Sequence, residues 1–182
     1  FMAAFAEAKR EKNIIDFTDY EHFALQVLLD EKGRPTAAAE ELRQRYDEIM
    51  IDEYQDSNIV QELVLSAVSG EAVGENNRFM VGDVKQSIYR FRQAMPELFN
   101  EKYLRYPAEE GGKERKIILS KNFRSRKNIL DGVNFIFRQI MCREFGDIDY
   151  DDEAALYAGM EFPPCAEPHG GENEILLIET KE

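Results

Sequence analysis

Asp52-Glu53-Tyr54-Gln55-Asp56 sets two carboxylates side by side directly after the apolar run Ile49-Met50-Ile51. An acid leaving a buried strand offers the hard oxygen that Mg²⁺ prefers, and that ion keeps waters and phosphate oxygens as its other ligands. A second acid beside it can orient or deprotonate a water attacking a terminal phosphate. The same pair also suits a solvated loop or a helix N-terminus, where negative charge is favourable without any chemistry.

A second segment runs Val81-Gly82-Asp83-Val84-Lys85-Gln86-Ser87-Ile88-Tyr89-Arg90-Phe91-Arg92. Gly82 permits a tight exit from a strand, and the Gln86 amide can sense a phosphate or its water. Tyr89 and Phe91, interleaved with Arg90 and Arg92, have the composition of a platform for single-stranded nucleic acid. On such platforms bases stack on aromatic faces while cations meet the backbone. The alternative is a helix with Ile88 and Phe91 in a core and the arginines in water. In a third segment, Lys121-Asn122-Phe123-Arg124-Ser125-Arg126, the planar guanidinium of Arg124 suits a phosphate clamp, and equally a plain surface position.

Three apolar runs must position these segments. Residues 48–51, 78–81 and 116–119 read as short buried strands, with carboxyl ends at Asp52-Glu53, Gly82-Asp83 and Lys121-Asn122. Strands alternating with helices specify an α/β fold with a parallel sheet, and ligands gather at the carboxyl ends of such strands. Helices are expected over residues 1–13 and from Thr18, where Thr18 and Glu21 have the capping-box form, to a stop at Gly33-Arg34-Pro35. Further helices are expected at 37–45 after a Thr36 cap, from a Ser57 cap to 68, at 97–106 behind Pro96, and over 125–142. Residues 147–153 read as an acidic loop, 161–171 as a linker and 175–178 as a last strand.

The chain has 182 residues, 43% hydrophobic and 32% charged, enough for one domain with a core or one domain and part of another. It holds no run of 18 apolar residues and opens on an Ala-, Glu- and Lys-rich stretch, so neither a membrane span nor a secretory signal is expected. Two cysteines and two histidines argue against a disulfide scaffold or a zinc site and for a reducing, cytoplasmic setting. The net charge is −13, yet residues 78–138 hold 14 Lys or Arg against seven Asp or Glu, and the remainder nine against 29. A basic middle in an acidic chain is what a phosphate-facing surface leaves in a sequence, although a solvated mixed-charge helix surface leaves it too.

Together the three segments resemble consecutive motifs of the superfamily 1 UvrD/Rep-type DNA helicases. Asp52-Glu53-Tyr54-Gln55-Asp56 looks like motif II, residues 82–89 like motif III and Asn122-Phe123-Arg124-Ser125 like motif IV. Ile15-Asp16-Phe17-Thr18-Asp19 is similar to the segment that precedes motif II, and the resemblance spans roughly residues 14–158. Within the family, Tyr54, Val84-Lys85 and Arg90-Phe91-Arg92 look most like the helicase–nuclease subunit of the AddA (RexA) type. The resemblance implies Asp52 as the Mg²⁺ ligand and Glu53 as the residue that activates the hydrolytic water of ATP. It also implies that Gln86 couples the γ-phosphate to the DNA site and that Arg124 contacts that phosphate. Tyr89 and Phe91 would lie against single-stranded DNA with Arg92 nearby, and Gln55 and Asp56 would tie the acidic box to motif III. Phe91 stands where solitary helicases of the family usually have tryptophan.

The chain contains no Gly-x-x-x-x-Gly-Lys-Ser/Thr, none of the late arginine-bearing motifs and no recognisable nuclease segment. The expectation is therefore a partial RecA-like sheet flanked by helices and lacking the Walker A element. Residues 1–115 would be the later part of the first motor domain, 116–146 the lead-in to the second, and 147–182 a loop, linker and terminal strand. The implied function is a fragment, inactive alone, of an ATP-dependent 3′→5′ DNA helicase in double-strand break repair. Its implied partners are single- and double-stranded DNA ends and a nuclease subunit of the AddB/RexB type. Alternatives are a free-standing UvrD-type repair helicase, a non-catalytic DNA-binding module, and a two-metal nuclease using Asp52, Glu53 and Asp83.

Overall fold

Capped helices with apolar residues at helical spacing build the core of the first of two units, Phe1–Lys116 and Ile117–Glu182. The computed structural model describes residues 2–146, 148–164, 173, 174 and 178. Helices α1 (Met2–Lys12), α2 (Phe17–Leu28), α3 (Ala37–Arg45), α4 (Ile59–Val68) and α5 (Pro96–Arg105) belong to the first unit, with strands β1 (Ile49–Ile51) and β2 (Arg78–Met80). Leu28 of α2, Ala39 of α3 and Ala67 of α4 form the buried centre, with Leu29, Leu42, Val64 and Val68 packed on it.

Two caps differ from the sequence expectation. Helix α2 starts one residue before Thr18, because Asp16 is the cap: its Oδ1 accepts from the Asp19 amide at 3.0 Å, and Asp19 Oδ2 accepts from the Asp16 amide at 2.8 Å. A carboxylate at this position meets both the free amides and the helix dipole, which a threonine further along cannot do. Lys9 fastens α1 to this cap through Asp19 and Asp16 at 2.6 and 3.0 Å. Helix α4 is capped by Asn58 rather than Ser57, again with a reciprocal bond, here from Gln61. Ser57 is buried one residue earlier, and its carbonyl accepts the Met95 amide. Thr36 caps α3 and Pro96 opens α5 as the sequence suggests.

β1 and β2 pair in parallel, with Ile49 opposite Arg78 and Ile51 opposite Met80. Both strands therefore end at the same edge.

In the second unit, β3 (Lys121–Asn122) pairs in parallel with β4 (Tyr157–Ala158), beside α6 (Lys127–Ile140) and the short α7 (Arg143–Gly146). Leu130, Tyr150 and Ala155 are buried, and the Tyr150 ring stacks on Phe137 at 5.8 Å. The strand expected at 116–119 is not formed. Ile117, Ile118 and Leu119 are 58, 45 and 79% exposed, whereas a parallel strand needs neighbours over both faces. Pairing begins only at Lys121, so the Lys121-Asn122 segment is the strand and not its exit. Of the last strand expected at 175–178, residues 175–177 lie outside the described residues and Ile178 is exposed. Of the 161–171 segment, 161–164 are irregular and the rest lies outside the described residues, Cys165 and His169 included.

Candidate functional site

The parallel register brings the first two segments together. The Val81 amide donates to the Ile51 carbonyl at 2.8 Å, and the Tyr54 amide donates to the Val81 carbonyl at 2.9 Å. Asp52-Glu53 and Gly82-Asp83 thus leave the sheet side by side. Asp52 Oδ1 accepts from the Glu53 amide at 2.9 Å. Glu53 itself sits in the left-handed region at φ 50°, a conformation that costs a non-glycine residue about 1–3 kcal/mol and is found where surrounding structure enforces it.

Gln55, almost wholly buried, joins the two exits. Its Nε2 donates to Glu53 Oε2 at 2.7 Å, and its Oε1 accepts from the Asp83 amide at 3.0 Å. Asp83 Oδ2 then accepts from Gln86 Nε2 at 3.0 Å, while Oδ1 accepts from Lys85 Nζ at 2.8 Å. One chain of hydrogen bonds therefore runs Glu53–Gln55–Asp83–Gln86. Gly82 is required for it. A Cβ there would sit 2.5 Å from Gln55 Oε1 and 3.2–3.3 Å from the amides of Gln55 and Tyr54. The tie expected from Asp56 is absent: one of its carboxylate oxygens is buried without a hydrogen-bond partner among the described residues. Burial, and then the Glu53 charge, raise its carboxyl above the ordinary range.

Asp52, Glu53 and Asp56 line a cleft of about 640 Å³ whose other walls include Tyr20, Glu21 and Gln61. The donor set fits Mg²⁺. An exposed carboxylate at a strand exit, with one oxygen held by a backbone amide, suits an ion that takes one or two protein carboxylates and keeps waters and phosphate oxygens. Among the described residues no group of three or more His, Cys, Asp or Glu is arranged to hold a metal. The trio Asp52, Glu53 and Asp83 is accordingly not assembled as a two-metal site, because Asp83 is engaged by Lys85 and Gln86.

Beyond Gln86 the chain turns outward. Ile88 and Phe91 are 69 and 77% exposed, so neither is buried in the core that the described residues form. The Tyr89 and Phe91 rings lie 5.9 Å apart, and the Arg92 guanidinium stands 5.7 Å from each. An exposed aromatic pair with a cation beside it is the arrangement that stacks bases and meets phosphates. Arg124 is exposed in the second unit, on a turn that Asn122 Oδ1 holds by accepting from the amides of Arg124 and Ser125 at 2.9 and 2.8 Å.

Sequence reasoning missed a buried network behind the acidic box. The Tyr54 hydroxyl donates to Glu62 Oε2 at 2.5 Å, and Arg78 grips Glu62 through Nη1 and Nη2 at 3.1 Å each. Lys102 Nζ donates to Glu62 Oε1 at 3.0 Å, and Arg78 also pairs with Glu71 at 2.7 Å. Burial pushes the Glu62 carboxyl up, but bonds from Arg78, Tyr54 and Lys102 outweigh it and hold the group below the ordinary carboxylate range. Burial first, and then the Glu62 carboxylate, raise the Tyr54 hydroxyl far above the ordinary phenol. These residues are spread over 49 positions of sequence, and only Arg78, a charge opening an apolar strand, marks them there.

Comparison with known proteins follows the same residues. Residues 1–107 match the family model described as the UvrD/REP helicase N-terminal domain. The chain is 51% identical over 186 aligned residues to an ATP-dependent helicase/nuclease subunit of Clostridium kluyveri, an alignment covering all of this chain and 15% of that protein. It is 55% identical to the protein of the same description from Moorella thermoacetica, covering 13% of it, and 49% identical to that of Ruminiclostridium cellulolyticum, covering 15%. The chain thus spans about one seventh of the length of these relatives. Parallel strands whose exits carry the acidic box and the Gly82–Gln86 loop, and a family match that covers both, make this chain a member of the UvrD/Rep helicase family.

Proposed function

We propose that the chain works within a longer polypeptide as part of an ATP-dependent 3′→5′ DNA helicase. That protein would be the helicase subunit of a helicase–nuclease acting on single- and double-stranded DNA ends in break repair, with a nuclease subunit of the AddB/RexB type as partner. The observation that carries this reading is the hydrogen-bond chain from Glu53 through Gln55 and Asp83 to Gln86. It gives the acidic cleft a mechanical link to the segment that ends in the exposed aromatic pair. In this reading the first unit is the later part of a RecA-like motor domain whose glycine-rich phosphate loop lies elsewhere in the polypeptide.

Mg²⁺ and ATP, when bound, supply the phosphoryl group and offset its charge. Asp52 would hold the cation, and the Glu53 carboxylate would orient the attacking water and accept its proton. Gln86 senses the terminal phosphate and passes its state along the hydrogen-bond chain. Arg124, exposed on the second unit, would offer its guanidinium to a phosphate. Tyr89 and Phe91 stack bases, while Arg92 neutralises backbone phosphate.

The test is single-strand affinity in the full-length protein. Tyr89→Ala and Phe91→Ala each weaken binding of a labelled oligonucleotide by about 1–3 kcal/mol and leave the melting temperature in place. Binding falls steeply with salt. Unchanged affinity in both variants removes the platform from the reading.

A further inference from the structure

Buried ion networks are poor sources of net stability, because desolvation consumes most of the attraction between the charges. Glu62, Arg78 and Lys102, with side chains 11, 2 and 15% exposed, form such a network. What it delivers is fixed geometry, and the group it fixes is the Tyr54 hydroxyl. Glu62 cannot move freely, since Arg78 holds both of its oxygens and is itself held by Glu71. The anchors come from α4, β2, α5 and the turn at 70–73, so no single element can carry Tyr54 away.

Tyr54 is held at both ends. Its amide is bonded to Val81 and its hydroxyl to Glu62, while its ring is wholly buried and lies edge-on to Phe99. Among the described residues Glu53 is tied only to its sequence neighbours: its carbonyl accepts from the Asp56 amide at 2.9 Å, and its amide donates to Asp52. Its carboxylate is exposed and held by the neighbouring Gln55, and its left-handed backbone survives only if the residues beside it are fixed. Asp52 fixes the peptide before it; Tyr54 fixes the peptide after it.

We propose that Tyr54 and Glu62 are positioning residues for Glu53: the Glu62 carboxylate, clamped by Arg78 and Lys102, pins the Tyr54 hydroxyl, and through Tyr54 the backbone that aims the Glu53 carboxylate. The inference rests on the reading of Glu53 as the water-activating acid.

The test uses the full-length protein with Tyr54→Phe, Glu62→Gln and, as reference, Glu53→Gln. Tyr54→Phe lowers single-turnover ATP hydrolysis by about tenfold, the effect of losing one hydrogen bond to a charged group, with KM for ATP changed by less than about twofold. Without nucleotide, amide exchange over residues 53–57 rises by at least about tenfold, while protection in α2 and α4 is unchanged. Glu62→Gln lowers hydrolysis in the same way, with KM for ATP again changed by less than about twofold. In the Glu53→Gln background, Tyr54→Phe adds no further loss, since residues acting as a unit are not additive. Wild-type exchange and hydrolysis in Tyr54→Phe, with Glu53→Gln inactive, defeat the positioning role alone. Exchange that rises throughout the first unit in Tyr54→Phe, where the ion network is intact, makes the pair merely structural. An active Glu53→Gln variant overturns the reading of Glu53 itself, and this inference with it.

Discussion

Glu53→Gln in the full-length protein lowers DNA-stimulated ATP hydrolysis by roughly 10²–10⁴-fold, the usual contribution of a positioned general base. Glutamine keeps the shape of the side chain and can still meet Gln55, so the 53–55 turn persists while proton acceptance is lost. Nucleotide affinity should not fall, because removing one negative charge beside a triphosphate relieves repulsion. Phosphate release and equilibrium nucleotide binding, measured on one preparation, separate these effects. The 182-residue chain on its own is expected to release no phosphate. Its sequence lacks the glycine-rich loop and lysine that cradle the β- and γ-phosphates, and its net charge of −13 repels ATP before contact. Steady hydrolysis by the chain alone, abolished by Glu53→Gln, would reveal a phosphate cradle of a different kind.

Glu62→Ala destabilises the first unit by about 3–5 kcal/mol, the range for breaking a buried ion pair from one side. Arg78, 2% exposed at its side chain, is left with Glu71, and the Tyr54 hydroxyl loses its acceptor. Urea unfolding followed by circular dichroism measures the loss. Replacing Glu62 and Arg78 together by leucine and methionine should recover part of it, since the desolvation penalty leaves with the charges. The effect depends on pH with a definite sign. The folded-state carboxyl of Glu62 lies below its unfolded value of about 4.3, so its contribution is complete above that pH and fades as pH falls through the folded value. Glu62→Gln therefore flattens the acid limb of the stability curve. Asp56 works in the opposite sense: its carboxyl is raised, so its ionisation opposes folding as pH increases. Persistence of the wild-type acid limb in Glu62→Gln would place its origin at another carboxylate.

The sequence is most informative where one residue type satisfies one local need. Thr36 and Pro96 mark helix starts, Gly82 marks a close approach, and Ile49-Met50-Ile51 before two acids marks a strand exit. Caps are ambiguous where polar residues crowd together. Asp16 and Thr18 both suit the start of α2, and Ser57 and Asn58 both suit α4; side-chain geometry decides between them. The run 116–119 is apolar enough for a strand but finds no partner strand among the described residues, and pairing is a non-local property that hydropathy does not carry. The site is legible as motifs, whereas its joints are not. Gln55 and Asp83 meet only through the parallel register, and Glu62 and Lys102, 40 positions apart, meet only because α5 packs on the turn at 54–56.

The left-handed backbone of Glu53 sets two selection pressures against each other at one codon. Glycine adopts that conformation without penalty, but Glu53→Gly also takes the acceptor from the buried Gln55 amide, so the melting temperature should change little while the acid is removed altogether. A library screened for thermostability alone would tolerate glycine at 53 and discard the activity without any sign of misfolding. Engineering of this scaffold therefore needs a turnover readout in every round.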